Sequence, residues 1–190
     1  MFDLAIMTIQ GFQQETHRHN GITDLWEYKL RKYAAPKTLI MTPLIWKDNP
    51  KDTAKWLMDL HIDKIVVIAY SWGAGWFFRR FQKYYDKNIN HVILCDPVKR
   101  MGWLPTSLSP VGLFSAFSMT RLPKMEIESN VQNVSRFYQT INKPSSHDLN
   151  IKSSNTKLVL DKQLEVVHGC MDNHPDFHNH VVDVIDNIRS

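Results

Sequence analysis

Residues 69 to 75 read AYSWGAG and follow the apolar run Ile65–Ile68. A serine hydroxyl is a weak nucleophile, so chemistry at Ser71 needs a base to take its proton and donors to hold the oxyanion that forms. A tight turn from a strand into a helix would lift Ser71 above the C-terminal edge of a sheet, and it requires small residues such as Ala69 and Gly73 on either side. An ordinary serine N-cap gives the same pattern.

The base would be a histidine on a loop that reaches this edge. Of the nine histidines, His174 fits best because Pro175 can open the last helix and leaves His174 in the turn before it. His168, at the end of the last apolar run, is the second choice. His178 and His180 fall on the predicted helix, where a solvated histidine is the ordinary outcome.

The remaining parts are an acid and donors to the oxyanion. Asp96 lies just past a predicted strand end, at the same sheet edge as Ser71, and would orient the imidazole; an Asp-Pro turn explains it equally well. The backbone N–H of Trp72, next to Ser71, is one candidate donor. The N–H of Phe12 is the other, because Gly11 permits close approach, although Gly11 also suits a plain loop.

Short apolar runs alternate with amphipathic ones, which predicts a mainly parallel sheet of about five or six strands with helices on both faces, a three-layer α/β/α sandwich. Asn49 and Pro50 mark a helix start, as N-cap and first helical residue. The predicted strands are 4–9, 38–42, 65–70, 91–95, 134–139 and 164–167, with 142–156 as a loop or hairpin. The predicted helices are 24–33, one from 50, 73–85 and 175–188.

Residues 101–123 break this alternation. They are rich in Pro, Ser and large apolar residues without a clear period, and they suggest either a cap over the site or another core helix. The apolar residues proposed to contact an acyl group are Trp103, Leu104, Phe114 and Phe117. Apart from this possible lid, residues 1–190 are expected to form one domain.

Several segments together resemble the α/β-hydrolases. AYSWGAG resembles their nucleophile elbow, with Ala69 in place of the first glycine of G-x-S-x-G. TIQGFQ is similar to the oxyanion-hole loop, HVILCDPV to the strand and acid-bearing turn of small bacterial and phage members, and VSRFYQ to the next strand. MDNHPDFHNHVVDVI is similar to the histidine loop and last helix.

The resemblance implies a Ser-His-acid triad that hydrolyses esters, thioesters or related acyl bonds, without a cofactor. The order serine, acid, histidine matches the family. In many members the acid follows the next strand, which makes Asp148, or less so Asp172, the alternative to Asp96. The start of the first strand near Leu4 implies a trimmed sheet, as in small cutinase-like or lipase-like esterases.

The charge and composition of the chain limit the classes of molecule that it is expected to bind. The net charge of +4, from 23 basic and 19 acidic residues, is scattered and lacks the basic blocks of a nucleic-acid groove. No signal peptide or membrane span is indicated, which predicts a cytoplasmic protein. Cys95 and Cys170 are expected to be reduced thiols. The expected partner is a small acyl substrate, with an apolar acyl group as one alternative.

Two other functions compete with hydrolysis. HGCMDNHPDFHNH crowds four histidines and could bind zinc, although Pro175 interrupts the helix that would align His174 with His178. The chain could instead be a non-catalytic protein with the α/β-hydrolase fold, which uses the same pocket or a surface rich in its six tryptophans for binding.

Overall fold

The computed structural model describes residues 2–12, 21–98 and 124–190. The proposed lid at 101–123, with Trp103, Leu104, Phe114 and Phe117, lies outside these described residues. No helix within the described ranges is long and apolar enough to cross a membrane.

The centre of the fold is a six-stranded sheet with the order β2-β1-β3-β4-β6-β8, in which every neighbouring pair is parallel. The predicted parallel α/β arrangement is therefore confirmed. Its strands are β1 (Phe2–Ile9), β2 (Thr38–Ile40), β3 (Ile62–Tyr70), β4 (Ile89–Cys95), β6 (Val131–Tyr138) and β8 (Lys157–Gln163).

Two differences from the predicted strands lie in the C-terminal half. Within the expected loop at 142–156, β7 (Leu149–Ile151) pairs in parallel with β5 (Met125–Ile127) as a separate two-stranded sheet. The last strand is Lys157–Gln163 and not the predicted 164–167. It is an edge strand with mostly exposed side chains, and its apolar stretch is only the three residues Leu158–Leu160, followed by Asp161 and Lys162.

Helical segments connect the strands. Within the described ranges, the α-helices are α1 (Gly21–Asp24), α2 (Pro50–Asp59), α3 (Arg79–Tyr84) and α4 (Pro175–Arg189). The π-helical turns are Leu25–Leu30 and Gly73–Phe78, and the 3-10 turns are Arg31–Tyr33 and His168–Asn173. The Asn49 side chain accepts from the N–H groups of Lys51 and Asp52, which confirms the predicted N-cap.

Two apolar cores lie on opposite faces of the sheet. Along β1, Ala5, Met7 and Ile9 pack with α2 and α3, whereas Leu4 and Ile6 pack with the helical segment from residue 21 and with α4. Because both faces are covered, the inner strands read as continuous apolar runs. Their carboxyl ends meet at one edge of the sheet, where the candidate residues lie.

Candidate active site

Ser71 follows the last residue of β3 and occupies an uncommon backbone conformation, with φ of 50°. The helical turn Gly73–Phe78 begins two residues later, and the Gly75 N–H donates to the Ser71 carbonyl oxygen at 3.0 Å. A positive φ in a non-glycine residue is strained and persists where the surrounding structure holds it. The turn from strand to helix thus presents Ser71 at the carboxyl edge of the sheet.

Two glycines allow the backbone to pack closely around Ser71. A Cβ on Gly73 would lie 2.6 Å from the Gln10 carbonyl oxygen, so only glycine lets the turn pack against the end of β1. A Cβ on Gly11 would lie 3.0 Å from the Ser71 Cβ and 2.8 Å from the Tyr70 ring. The loop after β1 therefore lies directly beside Ser71.

Asp96 follows β4 as Ser71 follows β3, and it also has a positive φ, of 43°. Its side chain is fully buried. The carboxylate accepts hydrogen bonds from the side-chain and backbone N–H groups of Gln139. A buried carboxylate needs such donors, because burial without them would be costly.

His168 joins these two side chains. Its Nε2 lies 2.9 Å from the Ser71 Oγ, and its Nδ1 lies 2.5 Å from the Asp96 Oδ2. Since a carboxylate oxygen accepts, Nδ1 carries the proton and Nε2 is left to accept from the serine hydroxyl. Ser71, His168 and Asp96 therefore form a continuous hydrogen-bonded chain.

Tyr70 and Asn142 hold His168 in place. The Tyr70 ring stacks on the His168 ring at a centroid distance of 5.2 Å, and its hydroxyl donates to the His168 carbonyl oxygen at 2.7 Å. Burial raises the pKa of Tyr70, so the phenol stays a neutral donor. The His168 N–H donates to the Asn142 Oδ1 at 2.8 Å. The sequence predicted neither the Tyr70 contact nor the Asn142 contact, because only the fold shows that these two residues lie next to His168.

The structure brings His168, the second choice from the sequence, to Ser71, and not His174, the first choice. His174 is the N-cap of α4, as the sequence indicated, but its Nδ1 accepts from the Asp176 N–H at 3.2 Å. Its imidazole is therefore committed to the helix end. The histidine that reaches Ser71 lies in the 3-10 turn His168–Asn173, after β8, and not at the start of α4.

The alternative acids lie elsewhere. The Asp148 Oδ1 is 3.4 Å from the Arg136 Nη1, and about half of the Asp148 side chain is exposed. The Asp172 Oδ2 accepts from the Ile22 N–H at 3.2 Å, in the packing of the segment from residue 21. Among the three aspartates weighed from the sequence, Asp96 is the one that His168 contacts.

Phe12 and Trp72, the two candidate oxyanion donors, also contribute rings. Their centroids are 4.4 Å apart, and Trp46 lies at 5.8 Å from Phe12 and 5.1 Å from Trp72. Trp46 is nearly buried, whereas Phe12 is 46% exposed. These three residues, called the aromatic cluster below, lie beside Ser71 on the side of the sheet edge opposite Asp96.

The other histidines of the HGCMDNHPDFHNH segment do not converge. The His178 Nε2 lies 2.7 Å from the Asp172 carbonyl oxygen, and the His180 Nε2 lies 2.8 Å from the Ser135 Oγ. Over the described part of the chain, no group of three or more His, Cys, Asp or Glu side chains is placed to hold a metal ion. The histidines that are close in this sequence segment therefore make separate contacts in the fold.

The chain was also compared with known proteins. No protein-family model matches it, and no curated protein matches it.

Proposed function

We propose that this protein is a serine hydrolase of the α/β-hydrolase class, which cleaves an ester, thioester or related acyl bond. The observation that carries the proposal is the chain of hydrogen bonds from Ser71 Oγ through the His168 ring to Asp96 Oδ2, with distances of 2.9 and 2.5 Å. A nucleophile, a base and an orienting acid in this geometry are the parts that acyl transfer requires.

In the proposed reaction, Ser71 attacks the acyl carbonyl while His168 Nε2 takes the hydroxyl proton. His168 then returns that proton to the leaving alcohol or thiol, and an acyl-enzyme remains on Ser71. Water attacks the acyl-enzyme with His168 again as the base, which releases the acid and restores the serine. Asp96 holds the ring in the required tautomer and stabilises its transient positive charge.

The oxyanion would be held by the backbone N–H groups of Phe12 and Trp72. Trp72 is the residue after the nucleophile, and Phe12 follows Gly11, whose backbone lies against Ser71. Donors positioned before reaction stabilise the developing charge without needing to reorganise. These two residues are therefore the donors in the proposed mechanism.

The aromatic cluster supports an apolar substrate. Phe12, Trp46 and Trp72 form a wall of mutually contacting rings next to the nucleophile, and such a wall favours apolar groups over charged ones. An esterase-like or lipase-like preference is therefore proposed. Esters of increasing acyl chain length should be cleaved faster up to the length that the site accommodates, whereas charged acyl groups should be poor substrates.

Labelling with a fluorophosphonate, which traps activated serines, tests the function directly. Mass spectrometry should find one adduct, on Ser71, which disappears in Ser71→Ala. Ser135 is an internal comparison and should stay unlabelled, because it contacts two histidine rings but is fully buried inside β6, whereas Ser71 is 3% exposed and lies past a strand end.

The same variant should lower turnover of a reactive ester by a factor on the order of a thousand or more, with the fold intact. Folded wild-type protein that gives no adduct, or an active Ser71→Ala, would contradict the proposal.

A further inference from the structure

We propose that Gln139 is a positioning residue for the acid of this site, and this inference rests on the proposed function of Ser71, His168 and Asp96. Gln139 follows the last residue of β6, and its side chain is fully buried. Its Nε2 lies 3.1 Å from Asp96 Oδ2, the same oxygen that accepts from the His168 ring. The amide therefore contacts the acid at the atom through which the acid orients the base.

The backbone of Gln139 supports the same carboxylate. Its N–H donates to Asp96 Oδ1 at 3.4 Å, while the side-chain amide donates to Oδ2. Both carboxylate oxygens are thus held by one residue, which directly follows the neighbouring strand β6. Two donors fix the plane of the carboxylate and so the direction in which Oδ2 faces the imidazole.

Further hydrogen bonds fix the orientation of the amide itself. Its Oε1 accepts from the N–H groups of Ile141 and Asn142 at 2.8 and 3.0 Å. Its Nε2 also faces the carbonyl oxygens of Asn142 and Pro144 at 3.1 and 2.9 Å. Because an exchange of Oε1 and Nε2 would bring like groups together at every contact, the donor must face Asp96.

The loop that encloses Gln139 also reaches the base. Asn142, bound at both its N–H and carbonyl by the Gln139 amide, accepts from the His168 N–H through its Oδ1 at 2.8 Å. Gln139 therefore organises contacts to the acid side chain and to the backbone of the base. A structural role in the loop alone would not require the contacts to Asp96.

The chemical type of the donor matters. A lysine or arginine at this place would neutralise Asp96 and weaken its attraction for the imidazolium that forms during reaction. An amide holds the carboxylate by hydrogen bonds and carries no net charge. Gln139 can therefore orient Asp96 while leaving its negative charge to stabilise protonated His168.

The test replaces Gln139 by methionine, which has a similar shape but no amide. In Gln139→Met, kcat for a reactive ester should fall by about tenfold to a hundredfold, as is typical when a supporting partner of an oriented histidine is lost. KM should change little, because the Gln139 side chain is fully buried. The matched control is Gln163→Met, since Gln163 binds the same loop through Thr140 Oγ1 but is exposed and does not contact Asp96.

Ring nitrogen chemical shifts of His168 supply a readout that loop packing alone would not move. They distinguish the Nδ1–H from the Nε2–H tautomer in ¹⁵N-labelled protein, and the signals are assigned by their loss in His168→Ala. Wild type and Gln163→Met should show the Nδ1–H tautomer, whereas Gln139→Met should show a mixture. Unchanged ring signals, or equal effects of Gln163→Met, would overturn the inference even if kcat fell.

A second measurement guards against a Gln139→Met protein that does not fold. The side-chain amide signals of Gln139 should shift when Asp96 is changed to Asn, and those of Gln163 should not. No shift at Gln139 would overturn the inference. Neither spectroscopic measurement needs a substrate. Wild-type protein that is not labelled by fluorophosphonate would refute the proposed function, whereas the spectra alone decide whether Gln139 orients Asp96.

Discussion

Ser71 and Asp96 occupy equivalent places on neighbouring parallel strands, each directly after one member of the paired residues Tyr70 and Cys95. Both have a positive φ, of 50° and 43°. The Ser71 N–H donates to the Cys95 carbonyl oxygen at 3.0 Å, so the two turns are joined by backbone. Strain of this kind costs free energy and persists at sites where an orientation matters. The sheet register itself thus sets the spacing between Ser71 and Asp96.

The first prediction separates the two candidate bases. His168→Ala should remove most ester turnover and most fluorophosphonate labelling, because Ser71 loses the group that takes its proton. His174→Ala should leave activity near the wild-type level and lower the free energy of unfolding by about 0.5 to 1 kcal/mol, through loss of the N-cap contact to Asp176. Steady-state kinetics and urea unfolding measure both. The base assignment fails if His174→Ala is the inactive variant.

The second prediction separates the candidate acids. Asp96→Asn should lower kcat by a factor on the order of ten thousand, because an amide no longer enforces the required His168 tautomer. Asp148→Asn should stay active and lose less than about 1 kcal/mol of stability, since its contact with Arg136 is partly exposed. Comparable kcat values for the two variants would refute Asp96 as the acid.

The sequence predicted Ser71 and Asp96 because each follows a buried strand. Inner strands of a parallel sheet are covered on both faces, so their apolar runs are easy to recognise, and their carboxyl ends share one edge. His168 was harder to place. Its position depends on β8, an edge strand whose apolar stretch is only Leu158–Leu160 between polar residues, and the last strand was predicted at 164–167 instead. In the structure, that segment instead carries the chain across to Ser71.

Gln139 and Asn142 had no recognisable signal in the sequence. An amide after a strand is common, and only the contacts of Gln139 with Asp96, and of Asn142 with His168, distinguish these side chains from other polar loop residues. Such contacts depend on the path of the loop from residue 139 to 147. The pattern of buried and exposed residues predicts strands and helices, but it does not predict the path of an irregular loop.

The third prediction tests the close approach of Gly11 to the site. In Gly11→Ala, the new Cβ would lie 2.8 Å from the Tyr70 ring and 3.0 Å from the Ser71 Cβ. The Tyr70 ring must then shift, and with it the His168 ring that stacks on it, so activity should fall by up to about a hundredfold. Stability should fall by about 1 to 3 kcal/mol.

Gly169→Ala is the matched control for Gly11→Ala. Gly169 lies next to His168, but a Cβ there would meet nothing within 4 Å. Ester kinetics and thermal unfolding should therefore find this variant close to wild type. A Gly11→Ala protein with full activity would show that the loop after β1 is not held against the nucleophile.

The last prediction concerns pH and a second histidine pair away from the site. His91 and His180 both contact the Ser135 Oγ at 2.8 Å, and the two rings lie 6.3 Å apart. Burial, with a smaller effect of His180, lowers the pKa of His91 from 6.5 to about 4. One hydroxyl can donate to one ring and accept from the other, which suits two neutral imidazoles.

The sign of the pH effect follows from the direction of this shift. Between pH 6.5 and about 4, the unfolded chain binds a proton at His91 that the folded chain does not, so the free energy of unfolding decreases as pH falls. From pH 7 to 5 this one group should cost about 1 to 2 kcal/mol. This decrease in the free energy of unfolding begins near pH 6.5 and ends near pH 4, below which the folded chain binds the same proton.

Urea unfolding at pH 7 and pH 5 measures this contribution against a matched variant. His91→Gln should lose about 1 to 2 kcal/mol less than wild type between the two pH values, although it is less stable at pH 7. His61→Asn is the control, because His61 is exposed and Asn tolerates its φ of 52°. Equal losses in wild type and His91→Gln would show that the buried histidine pair does not limit stability in acid.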